Sequence, residues 1–175
     1  MVESLGINSE KVLKSEFSCE RSMRVVLQRV SKAEVRVGGS TVGTIGTGIV
    51  VLLGISRSDT TADSLYLLEK IVNLRIFPDN EGKMNRNVQE AGGALLIISQ
   101  FTLYGDCRRG RRPGFERAAP PEQAQRLYDE FVEAARRGPV PVQCGIFQAS
   151  MQVRLVNEGP VTIWIDSEDR GKKNG

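Results

Sequence analysis

The stretch GIVVLLGI, residues 48–55, contains no polar side chain. A strand with one face in solvent alternates apolar and polar residues, whereas a strand covered on both faces reads as a continuous apolar run. This stretch therefore predicts a strand in the centre of a sheet. The run ALLIIS, residues 94–99, is nearly as apolar and predicts a second buried strand.

Two helices are predicted beside these strands. The first covers residues 61–77, begins at an N-cap Thr61 or Asp63, and places apolar residues at helical spacing: Leu65, Leu68, Val72 and Ile76. The second covers residues 122–137, after a proline pair and before Gly138. Proline at the start and glycine at the end is the polarity expected of a helix.

Further strands are predicted on either side of this centre. They are residues 23–30, 33–37 and 40–45, with a Gly38-Gly39 hairpin turn, and residues 141–147, 151–156 and 161–166. Strands outnumber helices and do not alternate strictly with them, which argues against a doubly wound fold. The sequence therefore predicts an α+β fold, with mixed β-sheet layers and two main helices packed on one face.

The composition is that of one globular domain. The chain has 175 residues, of which 40% are hydrophobic and 26% charged. We expect a single domain at residues 23–168 and a polar tail at residues 169–175. Residues 1–22 mix charges and serines without the apolar core of a signal peptide, so we expect a disordered or weakly ordered extension. No apolar run approaches the roughly 18 residues that span a membrane.

The chain has no histidine, which restricts its chemistry more than any other feature. It excludes Ser-His-Asp and Cys-His nucleophile pairs and histidine metal ligands. Any proton transfer needs a shifted carboxylate or lysine, a water, or a group on the substrate. The cysteines are three and widely spaced, so we expect neither a disulfide framework nor a zinc site, but free thiols in a reducing cytosol.

A polar segment follows the second buried strand. Ser99, Gln100, Thr102 and Tyr104 alternate with Phe101 and Leu103. Hydroxyl and amide groups at the end of a core strand predict a rigid polar pocket, although a strand with one polar face would show the same pattern. The loop that follows carries clustered arginines, Arg108, Arg109, Arg111 and Arg112. Guanidinium groups pair with phosphate oxygens, so this loop is either a phosphate-binding segment or a solvated charged loop.

The segment VNEGPVTIWID, residues 156–166, reads as a strand, a break and another strand. Proline is excluded from central strands, so Pro160 is expected at a strand start or on a sheet edge. The residues alone favour an ordinary turn with a trans Gly159-Pro160 bond, because cis bonds are about 5–6% of X–Pro bonds in folded proteins. The alternative is a cis pair that directs two carbonyl oxygens at a ligand.

Three segments together resemble the D-aminoacyl-tRNA deacylase family. They are MRVVLQRV at residues 23–30, SQFTLYGD at residues 99–106 and NEGPVT at residues 157–162. The resemblance extends over residues 23–166. Departures occur at Gly114 and at residues 148–150, outside the latter two motifs, and residues 1–22 have no counterpart.

The resemblance implies an enzyme that hydrolyses the ester between a D-amino acid and the 3′ end of tRNA, and that also accepts glycine. Family members are homodimers with active sites at the subunit interface. We accordingly expect tRNA and a second copy of the chain as partners, a cytoplasmic location, and neither metal, cofactor nor membrane. The alternative is a non-catalytic RNA-binding module of the same fold.

The resemblance also assigns residues. The pair Gly159 and Pro160 matches a cis dipeptide that reaches into the partner's pocket, and Arg29 is expected close to it. Ser99, Gln100, Phe101 and Thr102 match the segment that lines the pocket. A rigid main-chain wall at Gly159 and Pro160 would exclude every L side chain while admitting glycine. It would not depend on which amino acid is bound.

For the hydrolysis itself, the backbone N–H groups of Phe101 and Thr102 are candidate oxyanion donors. We expect Thr102 to orient the substrate, because without histidine its activation as a nucleophile is hard to explain. The proton would then move through the terminal ribose 2′-OH or a water. A general esterase that uses Thr102, and a structural dimer in which Gly159-Pro160 is only a turn, remain as other readings.

Overall fold

The computed structural model describes residues 22–170. Its elements in chain order are β1 Arg24–Val37, β2 Ser40–Ile45, β3 Gly48–Gly54, α1 Thr61–Asn73, β4 Phe77–Pro78, β5 Met84–Arg86, β6 Ala94–Ser99, a 3-10 helix Phe101–Tyr104, α2 Pro121–Arg136, β7 Val142–Cys144, β8 Met151–Asp166 and a 3-10 helix Ser167–Asp169. No helix within this range has the length and apolar character needed to cross a membrane.

The main sheet is mixed and is organised around β1. Strands β2, β3 and β8 pair with β1 in antiparallel fashion, and β3, β6 and β7 are parallel neighbours. Because one stretch of β1 pairs with both β3 and β8, β8 lies on the opposite side of β1 and forms a sheet edge. The predicted α+β fold with a mixed sheet and two helices is confirmed.

Both helices are crossover connections between parallel strands. Helix α1 lies between β3 and β6 in the chain, and α2 lies between β6 and β7. Successive crossovers of the same hand in the same direction leave their helices on one face of a sheet. The larger core cluster reflects this arrangement, since Leu67 of α1 and Phe131 of α2 are buried there with Val51 of β3 and Ile97 of β6.

Strand β3 is covered on both faces, as its apolar run predicts. Ile49, Val51 and Leu53 belong to the helix-side cluster, whereas Val50 belongs to a second cluster with Leu96 and Ile98 of β6. Successive residues of β3 therefore point to opposite faces of the sheet and contribute to two separate core clusters. Replacement of any of these side chains by a polar group would leave that group without water or a partner.

Helix α1 begins at Thr61, as predicted, but it ends at Asn73, four residues before the predicted end. Its N-cap is Thr60, whose N–H donates to the carboxylate of Asp63 at 2.9 Å. Leu67 and Ile71 are fully buried, whereas Leu65 is 50% exposed. The predicted N-cap is wrong, and so is the predicted burial of Leu65, because the three leucines and the tyrosine at residues 65–68 fit more than one helical face. The other residues of the predicted stripe do pack against the core, with Ile76 beyond the end of the helix: Leu68, Val72 and Ile76.

Two predicted breaks do not interrupt their strands. Residues 23–30 and 33–37 belong to one strand, β1, and residues 151–156 and 161–166 belong to one strand, β8. Register shifts in the β1–β8 ladder accommodate the intervening residues. The predicted extension lies outside the described residues except for Ser22, which is buried and donates to Asp59 from its backbone N–H at 3.0 Å.

Candidate active site

The candidate pocket segment begins where β6 ends. Ser99 is the last residue of β6, and the N–H of Gln100 donates to the carbonyl of Leu53 at 2.8 Å. Residues Phe101–Tyr104 then form a turn of 3-10 helix. The predicted strand-like alternation is wrong here, since Phe101 is 55% exposed and Tyr104 only 3%.

Packing against the end of β3 explains the turn. A Cβ added at Gly54 would lie 3.1 Å from the Cβ of Leu103, so the 3-10 helix rests directly on that glycine. The Tyr104 hydroxyl donates to the carbonyls of Ser22 and Gly54. Burial, and secondarily the nearby Asp59 carboxylate, raise the pKa of Tyr104 well above its ordinary value, so this phenol is a structural donor.

Arg24 fixes the same turn from the other side. Its Nη1 donates to the carbonyl of Leu103 at 3.3 Å, and its Nε contacts the Asp166 carboxylate at 3.2 Å. Its guanidinium lies over the rings of Tyr104, at 4.8 Å, and Trp164, at 5.4 Å. Sequence reasoning missed Arg24 because its partners come from distant parts of the chain.

This anchoring leaves Thr102 and Phe101 presented outward. The Gln100 amide donates to Oγ1 of Thr102, and the Phe101 ring packs edge-on against Phe115 with a centroid distance of 5.0 Å. The N–H groups of Phe101 and Thr102 open the 3-10 helix, so they have no partner within it. Two adjacent amide donors on a fixed turn can receive an oxygen that carries negative charge.

The arginine-rich loop is a closed hairpin beside this segment. The N–H groups of Asp106 and Gly114 donate to each other's carbonyls at 2.8 and 3.0 Å. Arg108 pairs with Asp106 and holds the pKa of that carboxyl well below its usual range. Within residues 22–170, hydrogen bonds and ion pairs involve none of the other loop guanidiniums, Arg109, Arg111 and Arg112, and all three are exposed.

The Gly159-Pro160 segment is a bulge of the edge strand β8. Val30 pairs with Asn157 and Gln28 pairs with Thr162, so residues 158–161 lie opposite the single residue Arg29. Pro160 thus lies on an edge strand, as its missing N–H requires. The Gly159-Pro160 bond is cis, whereas the local residues alone favour trans.

Arg29 contacts this bulge directly. Its Nε donates to the carbonyl of Glu158 at 3.0 Å, and its Nη1 donates to the carbonyl of Ile76 at 2.5 Å. A Cβ added at Gly159 would lie 2.6 Å from Nη2 of Arg29, so glycine is required for this close approach. The side chain of Arg29 therefore ties the bulge to the strand and to the segment that follows α1.

One chain does not bring the bulge and the pocket segment together. Arg29 pairs with Ile49 and Arg24 with Gly54, a step of five residues along β1, or about 17 Å at roughly 3.3 Å per residue. Arg24 contacts both Leu103 of the turn and Asp166 of β8, so the turn lies near the far end of β8. The bulge and the turn are therefore separated mainly along the strands, by roughly 17–20 Å.

The described part of the chain contains no cluster of three or more Cys, Asp and Glu side chains that could hold a metal ion.

Comparison with known proteins shows which family the chain matches. Residues 26–166 match the family model described as D-Tyr-tRNA(Tyr) deacylase. A protein of Solibacter usitatus named D-aminoacyl-tRNA deacylase is 66% identical over 151 residues, which are 86% of this chain and 100% of that one. The protein of the same name from Symbiobacterium thermophilum is 64% identical over 83% of this chain and 97% of its own.

Two solved structures are similar to this chain in fold. The structure named c-Myc DNA Unwinding Element Binding Protein superimposes with a TM-score of 0.77 at 43% identity, covering 82% of this chain and 97% of its own. A probable eukaryotic D-amino acid tRNA deacylase superimposes with a TM-score of 0.71 at 22% identity, over 83% of this chain and 99% of its own, which shows a shared fold.

The family match and the named relatives show a hydrolase of the tRNA-editing class, and the prediction that the chain is an enzyme of this kind is confirmed. The chain belongs to the D-Tyr-tRNA(Tyr) deacylase family.

Proposed function

We propose that this chain hydrolyses the ester bond of D-aminoacyl-tRNA and releases free tRNA and the D-amino acid. The observation that carries the proposal is the family match over residues 26–166, which includes both the 3-10 turn at Phe101–Tyr104 and the Gly159-Pro160 bulge. The chain also spans the full length of a relative with this name at 66% identity.

In this proposal the turn after β6 supplies the hydrolytic chemistry. The N–H groups of Phe101 and Thr102 stabilise the oxyanion that forms when water attacks the ester carbonyl, and Ser99 and Gln100 line the pocket. The described partner of the Thr102 hydroxyl is the Gln100 amide, which is not a base. Thr102 therefore orients the substrate, and the terminal ribose 2′-OH or a water carries the proton.

The Gly159-Pro160 bulge is proposed to select chirality. Main-chain atoms at this position occupy the space into which any L side chain would point, so rejection does not depend on the identity of the side chain. Glycine has no side chain to exclude, and glycyl-tRNA is therefore also a substrate. Arg29 supports this wall by holding the carbonyl of Glu158.

A second copy of the chain is proposed to complete each pocket. Within one chain the bulge and Thr102 are roughly 20 Å apart, so a bulge that acts on substrate at Thr102 has to come from a partner. Strand β8 offers a 16-residue edge, and exposed apolar side chains lie along it and at the pocket: Val153, Val156, Trp164 and Phe101. Unpaired edges and apolar patches of this kind favour association.

The arginine loop is proposed to bind tRNA phosphates. Arg109, Arg111 and Arg112 are exposed and unpaired within the described residues, so they can neutralise phosphate, and Arg108 contributes while it also holds Asp106. Such contacts position RNA without reading its sequence. The proposed location is the cytoplasm, where charged tRNA is used.

The decisive experiment compares hydrolysis of D-tyrosyl-, L-tyrosyl- and glycyl-tRNA by one preparation of the protein. We expect rapid hydrolysis of the D and glycyl esters and almost none of the L ester. Equal hydrolysis of both mirror forms would contradict the wall. Binding of tRNA without hydrolysis of any ester would favour the alternative of a non-catalytic RNA-binding module.

A further inference from the structure

We propose that Asn157 is a positioning residue for chiral selection, which it performs by closing the Gly159-Pro160 bulge through its side-chain amide and the hydroxyl of Thr162. This inference rests on the proposed function, because it assigns a role within the same wall. Asn157 does not reach the reacting ester in this assignment. It acts through the main chain of residues 158–161.

The side chain of Asn157 spans the bulge from one end to the other. Its Oδ1 accepts a hydrogen bond from the N–H of Val161 at 2.9 Å, and its Nδ2 donates to Oγ1 of Thr162 at 2.8 Å. The same hydroxyl oxygen accepts from Nε2 of Gln28 on β1 at 3.3 Å. The amide therefore links both ends of the bulge to each other and, through Thr162, to the neighbouring strand.

This link replaces ladder bonds that the bulge has lost. Residues 158–161 have no Cα partner in β1, so their main chain is not fixed by pairing. Arg29 holds the incoming side of the bulge through the carbonyl of Glu158, but its contact there does not reach Val161. The Asn157 amide is the group that holds the outgoing side.

The orientation of the amide follows from its partners. The N–H of Val161 can only donate, so it requires Oδ1 of Asn157, and this places Nδ2 against Thr162. An aspartate at residue 157 would keep the bond to Val161, and its other carboxylate oxygen would accept from the hydroxyl of Thr162, which can donate as well as accept. A valine at residue 162 would remove the hydroxyl at nearly the same volume. Asn157→Asp therefore keeps the link with its direction reversed, whereas Thr162→Val breaks it.

The wall excludes L side chains only while its carbonyl groups keep one position, so a looser bulge admits a larger share of L substrate. We expect Asn157→Ala to raise the ratio of L- to D-tyrosyl-tRNA hydrolysis about tenfold, the factor that corresponds to the loss of one to two hydrogen bonds. Thr162→Val should raise it by a smaller factor, because it removes one contact, and Asn157→Asp should leave it close to the wild-type value. Adding Thr162→Val to Asn157→Ala should change little, because the contact between the two side chains is already lost.

The test measures initial rates on D-, L- and glycyl-tRNA for these variants, with thermal unfolding of each. Thr162→Ser keeps the hydroxyl and should retain the wild-type ratio. Asn73→Ala is a matched control, since the Asn73 amide donates to the carbonyl of Glu69 at the end of α1, away from the bulge. If Asn157→Ala does not fold, Thr162→Val replaces it as the disrupting variant, and Asn157→Asp serves as the conservative variant of residue 157.

The outcomes separate this inference from the function on which it rests. A wild-type enzyme that hydrolyses D and L esters equally overturns both. A wild-type enzyme that prefers D, with an unchanged L-to-D ratio in Asn157→Ala and in Thr162→Val, overturns the positioning role alone. Equal loss of D and L activity in these variants also overturns it, because that pattern belongs to a merely structural contact.

Discussion

Replacement of Gly159 by alanine tests the close approach of Arg29 to the bulge. Gly159 has a φ of +125°, which L residues rarely adopt, and its added Cβ would lie 2.6 Å from Nη2 of Arg29 and 2.9 Å from Cγ2 of Val161. Forcing a non-glycine residue into such backbone costs about 1–3 kcal/mol. The guanidinium has to move as well, which breaks its bond to the carbonyl of Glu158.

The backbone strain and the lost hydrogen bond of Arg29 can be summed, and a second variant separates them. A hydrogen bond from a charged donor is worth about 1.5–3 kcal/mol, so Gly159→Ala should lower the free energy of unfolding by about 2–4 kcal/mol after some relaxation of the exposed bulge. In an Arg29→Met background the guanidinium contact is already absent. The same substitution should then cost less, about 1–3 kcal/mol, which is the backbone contribution with the contact to Val161 still present.

The assay is urea unfolding at one fixed protein concentration, since association with a second copy would make stability depend on concentration. Gly39→Ala is the matched control, because Gly39 also has a positive φ, +85°, but its added Cβ would meet nothing within 4 Å. If Gly159→Ala costs no more than Gly39→Ala, or costs the same with and without Arg29, the assigned contact is wrong.

Four further predictions follow from the pocket, the loop and the sheet edge. Tyr104→Phe removes a buried hydroxyl that serves the carbonyls of Ser22 and Gly54; it should lower unfolding free energy in urea by about 1–3 kcal/mol, and an unchanged midpoint would contradict it. Thr102→Ala should retain most single-turnover hydrolysis of D-tyrosyl-tRNA if Thr102 only orients the substrate, and loss of all activity would favour Thr102 as the nucleophile. D-tyrosyl-tRNA that ends in 2′-deoxyadenosine should bind to the wild-type protein without being hydrolysed. Combined Arg109→Ala, Arg111→Ala and Arg112→Ala should weaken tRNA binding and flatten its dependence on salt by about 0.7 per lost phosphate contact to single-stranded RNA; an unchanged salt slope would place the phosphates elsewhere. Trp164→Glu puts a charge on an exposed apolar position of β8; it should shift sedimentation towards the monomer and lower hydrolysis in parallel, and an active monomer would contradict a shared pocket.

Much of the fold follows from local sequence, because the unbroken apolar runs of β3 and β6 predict that both strands are buried. The positions of the helices follow as well, since proline and glycine bound α2 and a capping box opens α1. The exact N-cap could not be read, because Thr60 and Thr61 are chemically alike. The hairpin at Gly38 and Gly39 could also be predicted from adjacent residues, and Val37 of β1 pairs with Ser40 of β2 as this turn requires.

The site was less accessible to sequence reasoning. Tyr104 continues an alternating pattern, yet it turns inward because Gly54, far away in the chain, leaves space for the 3-10 helix. The bulge in β8 has the composition of a turn, and only its pairing with β1 shows that the strand continues on both sides. The role of Asn157 could have been predicted from the sequence, since asparagine side chains in turns commonly form hydrogen bonds to the following backbone. Arg24 had none, because its partners are distant in sequence.

The distance between the bulge and Thr102 has a genetic consequence if the pocket is shared. A chain whose bulge no longer excludes L substrates and a chain whose Thr102 turn no longer hydrolyses the ester would each lack selective hydrolysis as a homodimer. Mixed together, they would form a heterodimer in which one pocket receives both lesions and the other receives neither. Such a pair of alleles should therefore complement each other in one cell and restore up to half of the wild-type pockets in each mixed dimer.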